Sequence, residues 1–487
     1  MFFVVPCLLA QALAGQQPKP DRYILDFRDT VSSTVTVEAT VKVAGGRLHI
    51  EAYTRTQPGY WRSLVRQITA TDSAGRALAI DSVSALEWRI GDEYRGTATL
   101  HYLVDYAFAR RPFPSGNQKG GLIADGAVYL VTKPLFITPD TGVAPGEREV
   151  QLQLPAAWSR VTSWREDSTN VYHALGRRDL AQNTMVLGHF ATAHAHLGGF
   201  EATAAFVGPI ARDSATIGPA FTKVVERYFR LFPRTPPAHY LMTFFYADHD
   251  DGEGFASSST VTFGHRIAGG DGILFNNKIA HEVLHYWIGQ RIRGSDFERM
   301  SWMSEGFTEY IANRTIYQEG LISRREYLDK LSRHIGAYSY YWYSPLFDGT
   351  TLFEGGADKT RNRFGVYDGG AVAALCLDLQ VRRATHGAKG IDDVLRLLWD
   401  RFAADGRRYD LDDLSAAIVE IGGPTFHDFL ARYVTGHELL PYEQALTGVG
   451  IRVRSWPLSA ETYLSEEPRA SRDVARARDT MLFDRRR

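Results

Sequence analysis

A multidomain α+β protein, with a β-sandwich-like domain at its N-terminal end and a helical domain at its C-terminal end, is predicted by a change of hydrophobic period along the chain. From Tyr23 to Val207 apolar and polar residues alternate, as in Thr34-Val35-Thr36-Val37-Glu38-Ala39-Thr40-Val41 and Thr97-Ala98-Thr99-Leu100-His101-Tyr102, the pattern of half-buried strands. After Pro219 the spacing becomes helical, with Phe221, Val224, Val225, Tyr228, Phe229 and Phe232 recurring until Pro233 stops them. With 487 residues, 44% hydrophobic and 23% charged, the chain has an ordinary globular composition and length for about three domains.

Taken in order, the first element is the apolar run Met1 to Ala14, which ends in the small-x-small pattern Ala12-Leu13-Ala14. It predicts a signal peptide over 1–14 and a secreted or periplasmic protein, although no Lys or Arg precedes the run. About a dozen apolar residues are too few to span a bilayer, and nothing later approaches the ~18 needed, so no integral membrane segment is expected in the mature chain. Residues 22–205 read as a β-rich domain with turns at Gly45-Gly46 and Ala74-Gly75. Residues 206–330 form a second domain. A helical domain follows over 331–455, carried by the spacing in Gly370–Arg383 and Ile391–Phe402. Residues 465–487 are charged and poor in large apolar groups, so a disordered tail is expected there.

Charge and cysteine content narrow the function. With 55 Lys+Arg against 56 Asp+Glu the net charge is −1, so no basic field is available to hold nucleic acid. The two cysteines, Cys7 and Cys376, permit neither a disulfide framework nor a cysteine-based zinc cluster. Any metal must be held by His and carboxylates. Cys376 lies in an apolar helical stretch and reads as a core residue.

The chemistry concentrates at His281-Glu282-Val283-Leu284-His285. On a helix, histidines four residues apart project from one face and can share a zinc ion at about 2.0–2.1 Å. Glu282, beside them but turned away from the ligand positions, is suited to take a proton from metal-activated water as general base. Catalytic zinc needs a third protein ligand and an open fourth position. Glu305, in Trp302-Met303-Ser304-Glu305-Gly306-Phe307-Thr308-Glu309-Tyr310, is the candidate. Glu309, one turn on, is placed to accept a hydrogen bond from the free ring nitrogen of a ligand histidine. One Zn2+ per chain is expected.

The stretches His281 to Arg293 (HEVLHYWIGQRIR) and Trp302 to Tyr310 (WMSEGFTEY) resemble the gluzincin metallopeptidases, and most closely the glycyl aminopeptidase family. Gln57-Pro58-Gly59-Tyr60-Trp61 with Asp72-Ser73-Ala74-Gly75 resembles that family's N-terminal β domain. Ala373 to Arg383, Gly390 to Leu397 and Asp428 to Tyr442 resemble its helical domain, so that residues 25–450 are covered. The resemblance implies a thermolysin-like zinc catalytic domain between the β domain and the helical domain, peptide or protein substrates and, by family habit, an aminopeptidase. It also implies that Tyr367, in Val366-Tyr367-Asp368-Gly369-Gly370, stands over the scissile carbonyl, where a phenol O–H would stabilise the developing oxyanion.

The chain departs from the family pattern in several places. Nineteen residues separate His285 from Glu305, one more than is usual in the related aminopeptidase N family. The Gly-rich strand that carries an amine-binding glutamate in these families corresponds to Asp251-Gly252-Glu253-Gly254-Phe255-Ala256-Ser257-Ser258-Ser259-Thr260. Glu253, Gly254 and Ser257 are therefore candidates for substrate binding, with Asp250 and Asp251 as substitutes for the amine anchor and Arg291 or Arg293 for a substrate carboxylate. The lysine usual after the tyrosine is Gly369 here, and only 37 residues follow Gly450, too few for the PDZ domain that often follows. His194-Ala195-His196 shares a strand face but lacks an acidic or Cys partner and reads as structural. No G-x-S-x-G elbow accompanies Ser257, Ser258 and Ser259, which argues against a serine hydrolase. The residues together predict a zinc metallopeptidase. Endopeptidase action and a non-catalytic, zinc-containing peptide-binding scaffold are the alternatives.

Overall fold

The computed structural model describes residues 20–52, 59–91, 93–140, 147–264 and 272–484; the expected leader 1–14 with Cys7, and Gln57-Pro58, lie outside these described residues. Residues up to Asp105 together with Pro134–Leu154 and Glu166–Leu180 form one compact unit. Its main sheet is built on β1 (Arg22–Asp26), β2 (Thr34–Ala44), β3 (Val65–Asp72), β4 (Arg95–Asp105), β5 (Glu147–Gln153) and β6 (Val171–Leu175). The long strands lie in the order β6-β5-β1-β2-β4-β3, antiparallel except for the β1–β5 pair. Alternation has its predicted consequence. Val35, Val37, Ala39 and Val41 of β2 are buried while their neighbours are not, because successive side chains of a strand leave opposite faces. A second sheet of four short strands, including Arg47–His49 and Glu87–Ile90, completes this unit.

The second unit comprises Tyr106–Lys133, Pro155–Arg165 and Ala181–Arg487. The stretch 22–205, read from its alternation as one domain, therefore supplies strands to both units. Four of them (Gly121–Ala124, Ala127–Val131, Ser159–Thr162 and Thr184–Gly188) make a sheet of the second unit. Two more, β7 (Ala191–Leu197) and β8 (Phe200–Phe206), join β9 (Ala238–Tyr246), β10 (Asp251–Gly254) and β11 (Ser258–Phe263) in the order β7-β8-β9-β11-β10. A period of two identifies a strand but not the sheet it enters. The parallel β8–β9 pair requires a crossover, and α1 (Ser214–Leu231) provides it, burying Phe221, Val224, Val225 and Tyr228 as the helical spacing predicts. β10 is the edge strand, antiparallel to β11.

Helices α2 (Gly272–Leu284), α3 (Ser301–Gln318) and α4 (Arg324–Tyr343) follow, then a π-helical turn, Phe364–Gly369, that runs into α5 (Gly370–Ala384), and then α6 (Ile391–Leu398) and α7 (Leu411–Gly422). Phe364–Ala384 is long and apolar enough to cross a membrane, but 78% of it is buried inside the protein, so its apolar surface is spent on packing. Cys376 lies there fully buried, and burial pushes its thiol up, which makes it a core residue and no nucleophile.

The tail corrects the expectation of disorder. After the hairpin β12 (Ile451–Trp456) and β13 (Glu461–Glu466), α8 (Arg472–Met481) starts with the Ser471 hydroxyl accepting from the Val474 N–H. Beyond it Leu482 and Phe483 are buried. The Phe483 ring meets the rings of Tyr317 and Tyr327 edge-on and carries the Arg324 guanidinium over its face at 3.7 Å. Average composition is poor in apolar groups here, yet two apolar residues placed at the end suffice to anchor one helix.

Candidate active site

α2 carries His281 and Glu282 and ends at Leu284, with the His285 N–H still bonded to the His281 carbonyl at 3.3 Å. The chain then turns back through Gly289, whose φ of +90° suits glycine alone, and this brings the Ile288 carbonyl to 3.1 Å from His285 Nδ1. That bond puts the ring proton on Nδ1 and leaves Nε2 as a free lone pair. α3 presents Glu305, Glu309 and Asn313, spaced four apart and so stacked on one face. The three candidate ligand atoms converge. His281 Nε2 and His285 Nε2 are 3.0 Å apart, and Glu305 Oε2 is 3.4 Å from the first and 3.3 Å from the second. Tetrahedral bonds of the usual zinc length require ligand atoms separated by about 3.3–3.4 Å. The two edges to Glu305 match this spacing and the His–His edge is somewhat shorter, so the residues present fit the ion. The triangle is the one cluster of three such groups among the described residues that could hold a metal.

Glu309 Oε1 lies 3.3 Å from His281 Nδ1. Burial opposes charge on His281, but the carboxylates of Glu305 and Glu309, as acceptors for its ring N–H groups, carry its pKa up to about 10. Burial likewise works against ionised Glu305, yet His285, His281 and Lys359 hold its carboxyl well below the usual range. Glu282 behaves in the opposite sense. Burial raises its pKa, the two histidines opposing this and the carboxylates of Glu305 and Glu253 adding to it, which suits a group that must both accept and return a proton.

Around the triangle is a cavity of about 310 Å³ lined by Gly252, Glu253 and Gly254 of β10, by Glu282, and by Lys359, Arg363 and Tyr367 among others. β10 passes directly over Glu282: a Cβ at Gly252 would collide with the Glu282 carboxylate and come within 2.8 Å of its Cγ. Glu253 faces the cavity half-buried, with Lys119 Nζ 3.6 Å away, and Asp251 accepts from Gln118 Nε2 at 2.6 Å. Tyr367 sits on the π-helical turn, its ring stacked on that of His281 at 6.2 Å. Burial and the Glu305 charge push its phenol up, so it keeps its proton at neutral pH.

Helix contact without side chains sets the Tyr367–Glu305 separation. Gly306 and Gly370 touch backbone to backbone, and a Cβ at Gly306 would stand 2.6 Å from Ala371 N and closer still to Gly370 Cα. At Gly369 a Cβ would meet Leu352 at 2.6 Å and Tyr338 at 3.0 Å, so no lysine fits there. A cation comes from another turn instead. Lys359 Nζ bonds Glu305 Oε1 at 2.8 Å and lies beside the Tyr367 phenol.

Some candidates are elsewhere. Arg291 donates to the Ala256 and Tyr286 carbonyls and to Ser257 Oγ, and stacks on the Tyr286 ring at 3.4 Å. Arg291 and Ser257 are thus bonded to each other, and neither is among the residues that line the cavity. Asp250 accepts from the Gly264 N–H, and Arg293 lies over the Phe297 ring. His194 and His196 stack at 6.0 Å, with His194 bonded to Thr192 and Thr203, a structural use. Lys359, Asn277 and His334 belong to the site's surroundings but escaped the sequence reading. None sits in a motif; Asn277 lies on α2 one turn before His281, while tertiary packing brings in Lys359 and His334.

Comparison with known proteins agrees with this geometry. The chain matches the family model for the M61 glycyl aminopeptidase over residues 275–341 and that for the peptidase M61 N-terminal domain over residues 22–184. No curated protein matches. Among solved structures it is similar to an aminopeptidase N family protein from Idiomarina loihiensis, with 16% identity, a TM-score of 0.75, and 89% of this chain and 79% of that one covered. It is also similar to the M1 zinc metallopeptidase from Deinococcus radiodurans, with 14% identity, a TM-score of 0.59, and 87% and 95% covered. A mutant of that enzyme bound to a Tyr-Ser-Ala substrate gives 15% identity, a TM-score of 0.55, and 87% and 95% covered. At such identities the likeness concerns the fold.

Proposed function

From the premise that this chain is a member of the glycyl aminopeptidase family of zinc-dependent metallopeptidases, we propose that it acts as an aminopeptidase with Glu282 as general base and Tyr367 as oxyanion donor. The observation that carries the proposal is the ligand triangle of His281, His285 and Glu305 with Glu282 beside it beneath β10. The five-stranded sheet with α2 and α3 is read, in the same proposal, as a thermolysin-like catalytic domain.

The three ligands would hold one zinc ion, which when bound activates water and polarises the scissile carbonyl. A peptide laid along the free edge of β10 extends the sheet by main-chain hydrogen bonds and runs over Glu282. Glu282 takes the proton of the attacking water and returns it to the leaving amine. Tyr367 donates its phenolic hydrogen bond to the oxygen that gains charge. Glu253, with Asp251, is the carboxylate available to a substrate's terminal ammonium, a charge that costs too much to bury alone. One observation favours endopeptidase action as a second reading: Lys119 already stands 3.6 Å from Glu253 and competes for it. Export from the cytoplasm belongs to the same proposal and rests on the apolar run 1–14; the N-terminal sequence of the mature protein tests it.

The test of mode is mass spectrometry of products from peptides supplied free and N-acetylated, with and without chelator. Chelator-sensitive loss of single N-terminal residues from free peptides alone supports the aminopeptidase. Internal cuts in both forms overturn that mode in favour of an endopeptidase. Intact peptides throughout overturn the enzyme reading in favour of a binding scaffold.

A further inference from the structure

Behind the ligand triangle a continuous set of hydrogen bonds joins α2, α3, α4 and the π-helical turn that bears Tyr367. Glu309, which lies beside His281, accepts from Asn277 Nδ2 at 3.3 Å. The same amide nitrogen donates its other hydrogen to Asn313 Oδ1 at 2.9 Å. The Asn313 amide therefore faces His334 with its Nδ2, and His334 Nε2 accepts at 2.9 Å. This leaves the His334 proton on Nδ1, which donates to Asp368 Oδ1 at 2.7 Å. The Asn277 amide donates both ways, to Glu309 and along Asn313 and His334 to Asp368, and each of these groups has its partner, the arrangement in which a buried polar network rigidifies its surroundings. The His334 side chain is only 12% exposed and that of Asp368 17%, so solvent is a poor substitute for either partner.

The chain of bonds starts at Glu309, whose Oε1 lies 3.3 Å from Nδ1 of the ligand His281, and ends one residue after Tyr367, on a segment with irregular backbone. A π-helical turn makes i→i+5 bonds of poorer geometry than an α-helix and occurs mostly at functional sites, so it needs outside support to hold one position. Asp368 is where that support attaches. We infer that His334 is a positioning residue for the reaction: through Asp368 it fixes the Tyr367 phenol relative to the ligand set, without itself touching substrate or metal. The inference rests on the oxyanion role proposed for Tyr367.

The test compares His334→Ala, His334→Asn, Tyr367→Phe and the double variant His334→Ala/Tyr367→Phe, with zinc content, kcat and KM measured for each on one peptide. His334→Ala is expected to lower kcat by about 10- to 100-fold, the usual range for groups that orient a metal site's first ligands, with KM and zinc content unchanged. His334→Asn, whose amide nitrogen falls near the position of Nδ1 and can still donate to Asp368, is expected to recover most of the loss. In the Tyr367→Phe background His334→Ala should cost nothing further, since the effect passes through the lost phenol. Losses that simply multiply in the double variant, or a normal kcat for His334→Ala, overturn the inference. Unchanged kcat for Tyr367→Phe alone overturns the role of Tyr367 itself, which separates the two failures. If His334→Ala does not fold, His334→Gln, whose amide oxygen falls near Nε2 and still accepts from Asn313 while the donor to Asp368 is lost, carries the same cycle with Tyr367→Phe.

Discussion

Replacing Gly306 by Ala tests how the fold sets the spacing of the reacting groups. The added Cβ would stand 2.6 Å from Ala371 N and in steric overlap with Gly370 Cα, whereas non-bonded heavy atoms settle at about 3.5–4.0 Å. Neither partner is a side chain that can rotate away, so α3 and the start of α5 must separate by about 1 Å. Overpacking of this kind costs about 1–3 kcal/mol, offset by roughly 0.8–1 kcal/mol because Ala is the better helix former. A net loss of up to about 2 kcal/mol follows, a fall of at most a few degrees in Tm. The larger effect is on rate. Glu305 adjoins Gly306 and Tyr367 lies three residues before Gly370, so the separation is passed directly to the ligand–phenol distance. A misplacement of about 1 Å can cost on the order of 100-fold in catalysis. Steady-state kinetics on a short peptide should show kcat down by about that factor with zinc content retained. A kcat within about twofold of wild type and an unchanged Tm would refute the claim that this backbone contact sets the geometry.

Gly252→Ala has the contrasting outcome. Its new Cβ meets the end of the flexible Glu282 side chain, so thermal stability should change little while kcat falls as the base is displaced; a large drop in Tm would contradict this. Asp378 is fully buried and accepts from Tyr310 Oη, Arg314 Nη1, Arg382 Nε and the Ile391 N–H at 2.7–2.9 Å. Asp378→Asn should cost about 3–5 kcal/mol in chemical denaturation at pH 7, because it removes the carboxylate that pairs with buried Arg382 and one of the two that pair with Arg314. The pH sign follows from the pKa. Burial would raise it, but Arg382 and Arg314 hold it below the ordinary value, so the stabilisation is complete above the unfolded value of about 3.9 and is lost as pH falls through the lower folded one. The difference between wild type and variant should therefore be constant from pH 7 to 5 and shrink below about pH 4.

Much of this was legible in the residues because the decisive signals are local. The four-residue spacing of His281 and His285, and the four-residue spacing of Glu305 and Glu309, each fit within about one helical turn, and helix geometry alone projects them together. The alternation in Thr34–Val41 predicted a buried face for the same reason. Assignments that depend on tertiary choice were out of reach. Ala191–Phe206 alternates like the strands before it but pairs with Ala238–Tyr246, and only packing decides that. Arg291 carried a charge beside the motif, yet two carbonyls and the Tyr286 ring claim it. Lys359 reaches the site from a turn and His334 from the middle of α4, neither within a motif of its own. In the tail, two apolar residues at its end outweighed the charged composition of the rest.

The central claim, that Glu282 activates water at a metal held by His281, His285 and Glu305, is tested most directly by zinc content and peptide turnover of Glu282→Gln beside wild type. The claim predicts one zinc per chain in both proteins, since Glu282 is not a ligand, and a kcat lower by about 10²–10⁴ in the variant, the range contributed by a general base. Wild-type turnover in a fully loaded Glu282→Gln protein would contradict it.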